Sequence, residues 1–355
     1  METDACINDT RDSQSFKGIT FSKFKKADVR KELIKSVING KIEPACNWGA
    51  EFICAGHYID LWDIILTIVG KHVHLANPKL PIYLNMRFET FKTIVQSGYA
   101  DNELNMRNNN KIRVLFGEII SILCLSNKKH SFSRIEINKK NEFDITSMTN
   151  KLKAPTIEFI SAIFLKDDPK ELFIALNEFA FQITSNNNLL ACYWLEWILE
   201  FGMICKNKKK ELCTCVRRTF VNVDEKFQMD PVWMLWEIIY TEAKKQPNAT
   251  TFKIIQNLLN LYCIKYTPGV KAKRRYLLYF AISLITEPYN ATTEIINADN
   301  KLIVENVIKK INAIYRQIKK NEIAPELSYL SVPAPPTDSE NTMKKLNKIN
   351  EFFNK

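Results

Sequence analysis

Apolar residues recur at helical spacing along most of this 355-residue chain. Val29, Leu33 and Val37 mark the first such stripe, and the same period returns in most later segments. One segment alternates with period two instead, so that residues 135–137 and 143–145 could pair across a polar loop. The pattern therefore predicts an all-α fold, or an α fold with one small β-hairpin.

Two stretches of the chain share four residue types at identical offsets. The first is 45–56 and the second is 191–202, and the shared positions are Ala45, Cys46, Trp48 and Gly56, repeated as Ala191, Cys192, Trp194 and Gly202. We interpret each stretch as a buried helix that ends at its glycine. Because the four types recur together, the sequence predicts two related helical bundles.

The polar and apolar composition divides the chain into four parts. Residues 1–24 are polar and basic, which is typical of a flexible arm. Residues 25–150 form a predicted N-terminal helical half that ends in the hairpin, and 151–330 form a C-terminal helical half. Within the second half, residues 156–165 read as a helix. Residues 331–355 combine a proline-rich linker with a short amphipathic tail helix.

Positive charge is in excess, with 50 Lys and Arg against 39 Asp and Glu and a net charge of +11. This balance favours polyanions such as nucleic acid as partners, although solvated lysine-rich surfaces are the alternative. Basic clusters fall at predicted helix ends and loops, several beside aromatic residues that could stack on bases. The candidate nucleic-acid contacts are Lys25, Lys26, Arg107, Lys111, Arg113, Lys208, Lys209, Lys210, Arg217, Arg218, Lys273, Arg274 and Arg275.

The nine cysteines are scattered and mostly set among apolar residues, which is typical of thiols in a reducing compartment. Cys205, Cys213 and Cys215 could supply three ligands to a zinc ion. A fourth ligand is missing nearby, and no CxxC pair occurs there. We therefore predict no cofactor, with zinc at these three cysteines as the alternative.

No motif in the sequence predicts catalysis. None of the nine glycines forms a phosphate-binding loop, and no nucleophile, base and acid occur at diagnostic spacing. His72 and His74 flank Val73 and could form a ligand pair or supply a base, or they could be ordinary polar residues at the end of a helical hairpin. We predict no catalytic residue.

Neither a signal peptide nor a membrane span is apparent. The first thirty residues or so are polar and charged. No apolar run reaches the roughly eighteen residues of a membrane helix. We expect a cytosolic protein, or one carried in a particle assembled in the cytosol, and the sequence leaves the oligomeric state open.

Several stretches resemble a protein family of the nucleocytoplasmic large DNA viruses, in the mimivirus and chlorella-virus lineages. They are Trp48-Gly49-Ala50-Glu51 with Gly56-His57, residues 74–83, Asp168-Pro169-Lys170-Glu171 with Asn177-Glu178, Ala191-Cys192-Tyr193-Trp194, Arg274-Arg275-Tyr276 and residues 318–322. The resemblance covers most of 25–330 and implies a viral protein, without implying a particular activity. A second resemblance, through Ala-x-x-Trp, Gly and Ala-Asn-Pro, is to the helical collar domains of clamp loaders, whose ATPase motifs do not occur here.

Three functions follow as hypotheses. The first is a non-enzymatic scaffold or adaptor of a giant DNA virus that contacts nucleic acid or nucleoprotein machinery in replication or gene expression. It would have a viral or host protein partner and would work in the host cytoplasm, within the viral factory. The second is a structural component of the virion, such as a minor capsid or core protein. The third is an enzyme with an unrecognised site, for which zinc dependence is one option.

Overall fold

A computed structural model describes residues 3–99, 102–138, 142–143, 149–209 and 212–323. Within these ranges the chain forms α-helices, short 3-10 and π-helical turns and loops, and it contains no β-strand. The predicted all-α fold is confirmed. The proline-rich linker and tail helix predicted for 331–355 lie outside the described residues.

The helices follow one another with short connections. In chain order they are α1 (Lys26–Ile38), α2 (Ile42–Cys54), α3 (Tyr58–Ile68), α4 (Leu80–Gln96), α5 (Asn110–Leu125), α6 (Phe173–Thr184), α7 (Asn188–Ile204), α8 (Val232–Lys245), α9 (Ala249–Tyr262), α10 (Lys271–Thr286) and α11 (Ala298–Lys319). Four of these helices start at an asparagine whose side chain accepts a backbone N–H, which satisfies one of the free donors of the first turn. These caps are Asn109, Asn187, Asn248 and Asn297.

The buried apolar residues of both predicted halves form one continuous core. Helix α10 packs against α3 from the first half and against α6, α7, α8 and α9 from the second. Its close approach depends on Gly70, in the π-helical turn Val69–Val73 that extends α3. A Cβ atom at Gly70 would lie 2.7 Å from the backbone carbonyl of Tyr276. The predicted boundary at residue 150 therefore does not separate two cores.

Helix α11 returns to the beginning of the chain. It packs on α2, α5 and the N-terminal segment, although the sequence placed it in the C-terminal half. Its apolar stripe of Val304, Ile311, Tyr315 and Ile318 is buried in these contacts. The first bundle is thus completed by the last described helix.

The N-terminal segment is packed against the helices rather than forming a flexible arm. Ala5, Ile7, Phe16 and Phe21 are buried. The Arg11 guanidinium lies 4.7 Å from the ring centroids of both phenylalanines. The prediction of a loose arm is wrong for this described part, because a few well-spaced apolar side chains are enough to anchor a polar segment.

The first arm of the predicted β-hairpin forms no strand. Its Ile135 N–H donates to the Tyr279 hydroxyl at 3.3 Å rather than to a partner strand. Phe132 packs on the same tyrosine ring, with centroids 5.5 Å apart. The segment is therefore held by side chains of α10. In the second arm, 143–145, residues 144 and 145 lie outside the described residues.

Residues 156–165 were predicted to be helical, but they form turns. Side chains of α6 replace the hydrogen bonds that a helix would provide. Asn177 accepts the N–H of Phe159 at 3.1 Å and donates to the carbonyl of Thr156 at 2.8 Å. Glu178 accepts two further N–H groups just before this stretch, each at 2.8 Å.

Both copies of the repeated sequence lie on helices, but their surroundings differ. Trp194 in α7 is fully buried, whereas Trp48 in α2 is half-buried and meets Phe24 edge-on at 5.7 Å. Gly56 follows the end of α2 with φ of +75°. Gly202 instead lies inside α7, so the prediction that its glycine ends the second helix is wrong.

Candidate polyanion-binding surface

Five of the predicted nucleic-acid contacts are buried arginines. They are Arg107, Arg113, Arg218, Arg274 and Arg275, and none is more than 6% exposed. Each guanidinium donates to a carboxylate, a carbonyl or an amide oxygen inside the protein. Side chains held in this way are not available to a phosphate. The sequence pattern therefore predicted phosphate binding by five arginines that instead form hydrogen bonds inside the protein.

Arg274 shows what the buried arginines do. Its Nε and Nη2 donate to Asp63 Oδ1 at 3.0 and 2.8 Å, and its Nη1 donates to the carbonyls of Tyr262 and Ile264. Asp63 lies on α3 and Arg274 on α10. The pair therefore connects helices from the two predicted halves.

Arg218 plays the same part near the start of the C-terminal half. Its Nη2 donates to Asp168 at 2.6 Å and its Nε donates to Glu237 at 2.7 Å. A further bond reaches the carbonyl of Ile163 at 3.2 Å. These contacts hold the turn region before α6 against α8.

A third buried ionic group joins α7 to α10. Glu196 accepts from Arg275 at 2.7 Å, from the Tyr279 hydroxyl at 3.0 Å and from Arg134 at 3.4 Å. Burial raises the pKa of the Glu196 carboxyl, although these partners favour its charged form. The group contacts the 131–138 segment through Arg134 and through the Tyr279 hydroxyl, which accepts the Ile135 N–H.

The remaining candidates with a described side chain are Lys25, Lys26, Lys111, Arg217 and Lys273. They are exposed or half-exposed and lie on different elements. Lys26 pairs with Asp60 at 2.7 Å, and Arg217 pairs with Glu225 at 2.8 Å. Lys210 lies outside the described residues, and the side chains of Lys208 and Lys209 are also not described. These candidates do not share one helix face.

A cationic row that the candidate residues did not include lies on α11. Lys309, Arg316 and Lys320 are exposed and are spaced seven and four residues apart, which places them on one side of the helix. Lys310 is exposed beside Lys309. We call these four residues the α11 cationic face. These cations are spaced so that they fall opposite the apolar stripe of α11. This spacing is visible in the sequence and could have revealed the cationic face.

The α11 cationic face is only weakly neutralised. Lys309 and Lys310 have no ion-pair or hydrogen-bond partner among the described residues. Arg316 reaches Asp4 at 3.4 Å, a long contact between exposed groups, and Lys320 donates to the neutral Gln317 amide at 2.7 Å. Arg316 lies in the last turn of α11 and Lys320 directly after it, where the helix dipole favours positive charge.

The three candidate zinc cysteines do not form a metal site in the part of the chain described. No group of three or more His, Cys, Asp or Glu side chains suited to a metal occurs there. Burial raises the pKa of the Cys213 and Cys215 thiols to about 12. Both thiols are therefore protonated at neutral pH, and a zinc ion would have to displace both protons in order to bind.

The histidines also differ from the sequence hypothesis. His74 is buried against Phe280, with ring centroids 4.9 Å apart, and burial lowers its pKa to about 4. His72 faces His130 instead, with 3.0 Å between the two Nδ1 atoms. His57 binds backbone carbonyls of the N-terminal segment through Nε2. The pair of His72 and His74 is thus not formed.

Among the residues that the structure describes, one stretch, Asn188–Asn207, is long and apolar enough to cross a membrane. It corresponds to α7 and the turn that follows. Within the most apolar window, 56% of the residues are buried inside the protein. Packing in the core accounts for this composition, as it does for many central helices.

Comparisons with known proteins give no relatives, since no family model, curated protein or solved structure matches the chain. The resemblances to a viral family and to clamp-loader collars therefore stay predictions. The geometry of the described residues is the basis for a functional proposal.

Proposed function

We propose that this protein is a non-enzymatic helical scaffold that binds nucleic acid through the α11 cationic face. The observation that carries the proposal is the row of Lys309, Arg316 and Lys320 on one side of a firmly packed helix. Phosphate groups are attracted to such weakly neutralised cations, and counterions are released when the phosphates bind. The packing of α11 on α2 and α5 fixes the backbone from which these side chains project.

The distribution of charge supports this proposal. Buried arginines such as Arg218 and Arg274 are matched by buried carboxylates. The net charge of +11 therefore belongs mainly to exposed positions and to the residues outside the described ranges. An excess of this sign draws polyanions to the surface from a distance.

An adaptor also needs a protein contact, and α11 offers one near its start. Leu302 and Ile303 are 63% and 42% exposed. Adjacent exposed apolar side chains favour contact with another protein. Because the sequence resembles a giant-virus family, we propose that the partner is a viral or host protein in the viral factory or the virion.

A charge-reversal experiment tests the nucleic-acid proposal. Labelled single- and double-stranded oligonucleotides are titrated at low salt with the wild type and with a variant carrying Lys309→Glu, Arg316→Glu and Lys320→Glu. We expect the variant to bind about tenfold more weakly or worse, since each lost phosphate contact weakens binding for every sequence.

The matched control reverses three lysines elsewhere, Lys244, Lys245 and Lys253, which are also exposed. It carries the same change in net charge and should bind within about twofold of the wild type. Equal weakening in both variants would show a general charge effect. The absence of wild-type binding at low salt would remove the proposal.

A further inference from the structure

A cleft of about 370 Å³ lies where α4 faces α9, away from α11. Its floor is apolar and includes Phe88, Phe91, Val95 and Ile264. Phe91 is almost fully buried, whereas Phe88 and Val95 are partly open. Clefts of a few hundred Å³ with an apolar floor and a few polar groups are typical of small-molecule sites.

Four side-chain amides border this cleft: Asn85, Gln96, Asn222 and Asn260. Within the described chain none of these amides has a hydrogen-bond partner. Elsewhere in the protein asparagine amides are used, as at the helix caps and at Asn177. Each amide can donate two hydrogen bonds and accept at its oxygen. The rim therefore offers several donors and acceptors to a ligand.

The charged groups of the rim neutralise one another. Lys92 pairs with Glu89 at 2.6 Å, and Lys265 pairs with Glu103 at 3.4 Å. No excess charge is left to bind a strongly ionic ligand. Lys265 is also held at φ of +39°, a conformation that is uncommon for residues other than glycine. Backbone strain of this kind concentrates at binding sites.

We propose that this cleft binds a nucleobase, either as a free nucleoside or as an unstacked base of a single strand. A nucleobase has flat apolar faces that can contact the phenylalanine floor. Its edges carry neutral donors and acceptors that side-chain amides bind in pairs. The cleft is separate from the α11 cationic face and does not depend on it.

Calorimetric titration with adenosine, guanosine, cytidine and uridine tests the proposal. At least one nucleoside should bind the full-length protein with a Kd below about 1 mM. Asn260→Trp places a large ring at the rim of the cleft and should weaken binding about tenfold or more. Asn85→Leu removes one amide at nearly constant volume and should weaken binding as well.

The control is Asn127→Trp, at an exposed asparagine in the loop after α5 that does not line this cleft. It should bind like the wild type, and thermal unfolding checks that all variants are folded. Short single strands with and without one abasic position separate the two sources of the base. If the complete strand binds more tightly than the abasic strand, and Asn260→Trp removes this difference, the ligand is a base of a single strand.

If the protein binds the free nucleoside more tightly than the single strand, the ligand is the free nucleoside. If no nucleoside binds and the abasic strand binds as well as the complete one, the proposal is wrong. Equal effects of Trp at positions 260 and 127 also contradict it. Loss of the α11 cationic face leaves nucleoside binding unchanged, so this test and the test of nucleic-acid binding can fail separately.

Discussion

Single buried residues hold this molecule together where its helices meet. Arg274 and Asp63 connect α10 to α3, and Arg218 and Asp168 connect the turn region to the following helices. A buried ion pair adds modest net stability compared with an apolar pair, but a buried charge that has lost its partner is costly. The effect of one substitution is therefore large.

Arg274→Ala should lower the free energy of unfolding by about 3–5 kcal/mol, because Asp63 would be left buried and unpaired. Lys273→Ala changes the exposed neighbour on the same helix and should alter it by less than about 0.5 kcal/mol. Urea unfolding measures both values. Equal stability of the two variants would show that the buried pair has no structural role.

Two histidines, buried His74 and half-buried His72, make stability depend on pH. Burial lowers the pKa of His74 to about 4, and that of His72 also to about 4 with contributions from His130 and nearby lysines. In the unfolded chain a histidine pKa is about 6.5. Between these values the unfolded state binds more protons, so the free energy of unfolding falls as the pH falls from about 6.5 towards 4.

His74→Phe should reduce this loss, because phenylalanine keeps a ring against Phe280 but does not bind a proton. Each unit of pKa difference is about 1.4 kcal/mol of stability at full effect. Urea unfolding at pH 7, 6 and 5 compares the variant with the wild type. His72 and the carboxylates are the same in both proteins, so a difference in pH dependence comes from His74. Parallel pH curves would exclude His74 as a source of acid sensitivity.

Glycines decide how closely some helices approach one another. At Gly70 a Cβ atom would meet the backbone of α10 at 2.7 Å, and backbone cannot move aside easily. At Gly202 nothing lies within 4 Å of that atom, and the glycine is inside a helix. The two positions therefore form a natural pair for the same substitution.

Gly70→Ala should destabilise the protein by about 3 kcal/mol, since the new methyl group overpacks the contact between α10 and the turn after α3. Gly202→Ala should be neutral or stabilise it by about 0.5–1 kcal/mol, because alanine favours helix. Thermal unfolding distinguishes the two. A stabilised Gly70→Ala would contradict the close approach of these elements.

Local sequence patterns predicted most helices. They did not predict features that depend on contacts between residues distant in the sequence. The stripe of Val29, Leu33 and Val37 is a local pattern, and it agrees with the structure, in which all three residues are buried on α1. The first arm of the predicted hairpin forms no strand, and its Ile135 N–H donates instead to Tyr279, far along the chain. No sequence pattern near residue 135 carries that information.

The predicted helix at 156–165 failed for a related reason. Asn177 and Glu178 supply its backbone with hydrogen bonds from α6, and this arrangement forms only when the segment lies against that helix. Glycine position was equally misleading, since Gly56 and Gly202 share an offset but not a conformation. Propensity alone does not distinguish such cases.

At the scale of the whole molecule, one core unites the two predicted halves. Helix α11 closes the first bundle from the far end of the chain, and α10 contacts helices of both halves. For this reason, basic residues that are neighbours in the sequence differ in burial. Lys273 is exposed while Arg274 and Arg275 are buried, and only their distant partners Asp63 and Glu196 explain the difference.

The α11 cationic face could have been found from the sequence by plotting this helix on a helical wheel. Lys309, Arg316 and Lys320 fall opposite Ile311 and Ile318 at heptad-like spacing. Clusters of consecutive basic residues instead led to the buried arginines. What the sequence lacks is the information that α11 is a surface helix packed on α2 and α5.

The salt dependence of nucleic-acid binding tests the central claim most directly. Each phosphate that the protein neutralises on duplex DNA contributes about −0.9 to the slope of log K against log salt. We predict a slope of about −3 for the wild type and a slope near zero for the variant with Lys309, Arg316 and Lys320 changed to glutamate. Equal slopes for wild type and variant would show that nucleic acid binds elsewhere, and the account of the α11 cationic face would be wrong.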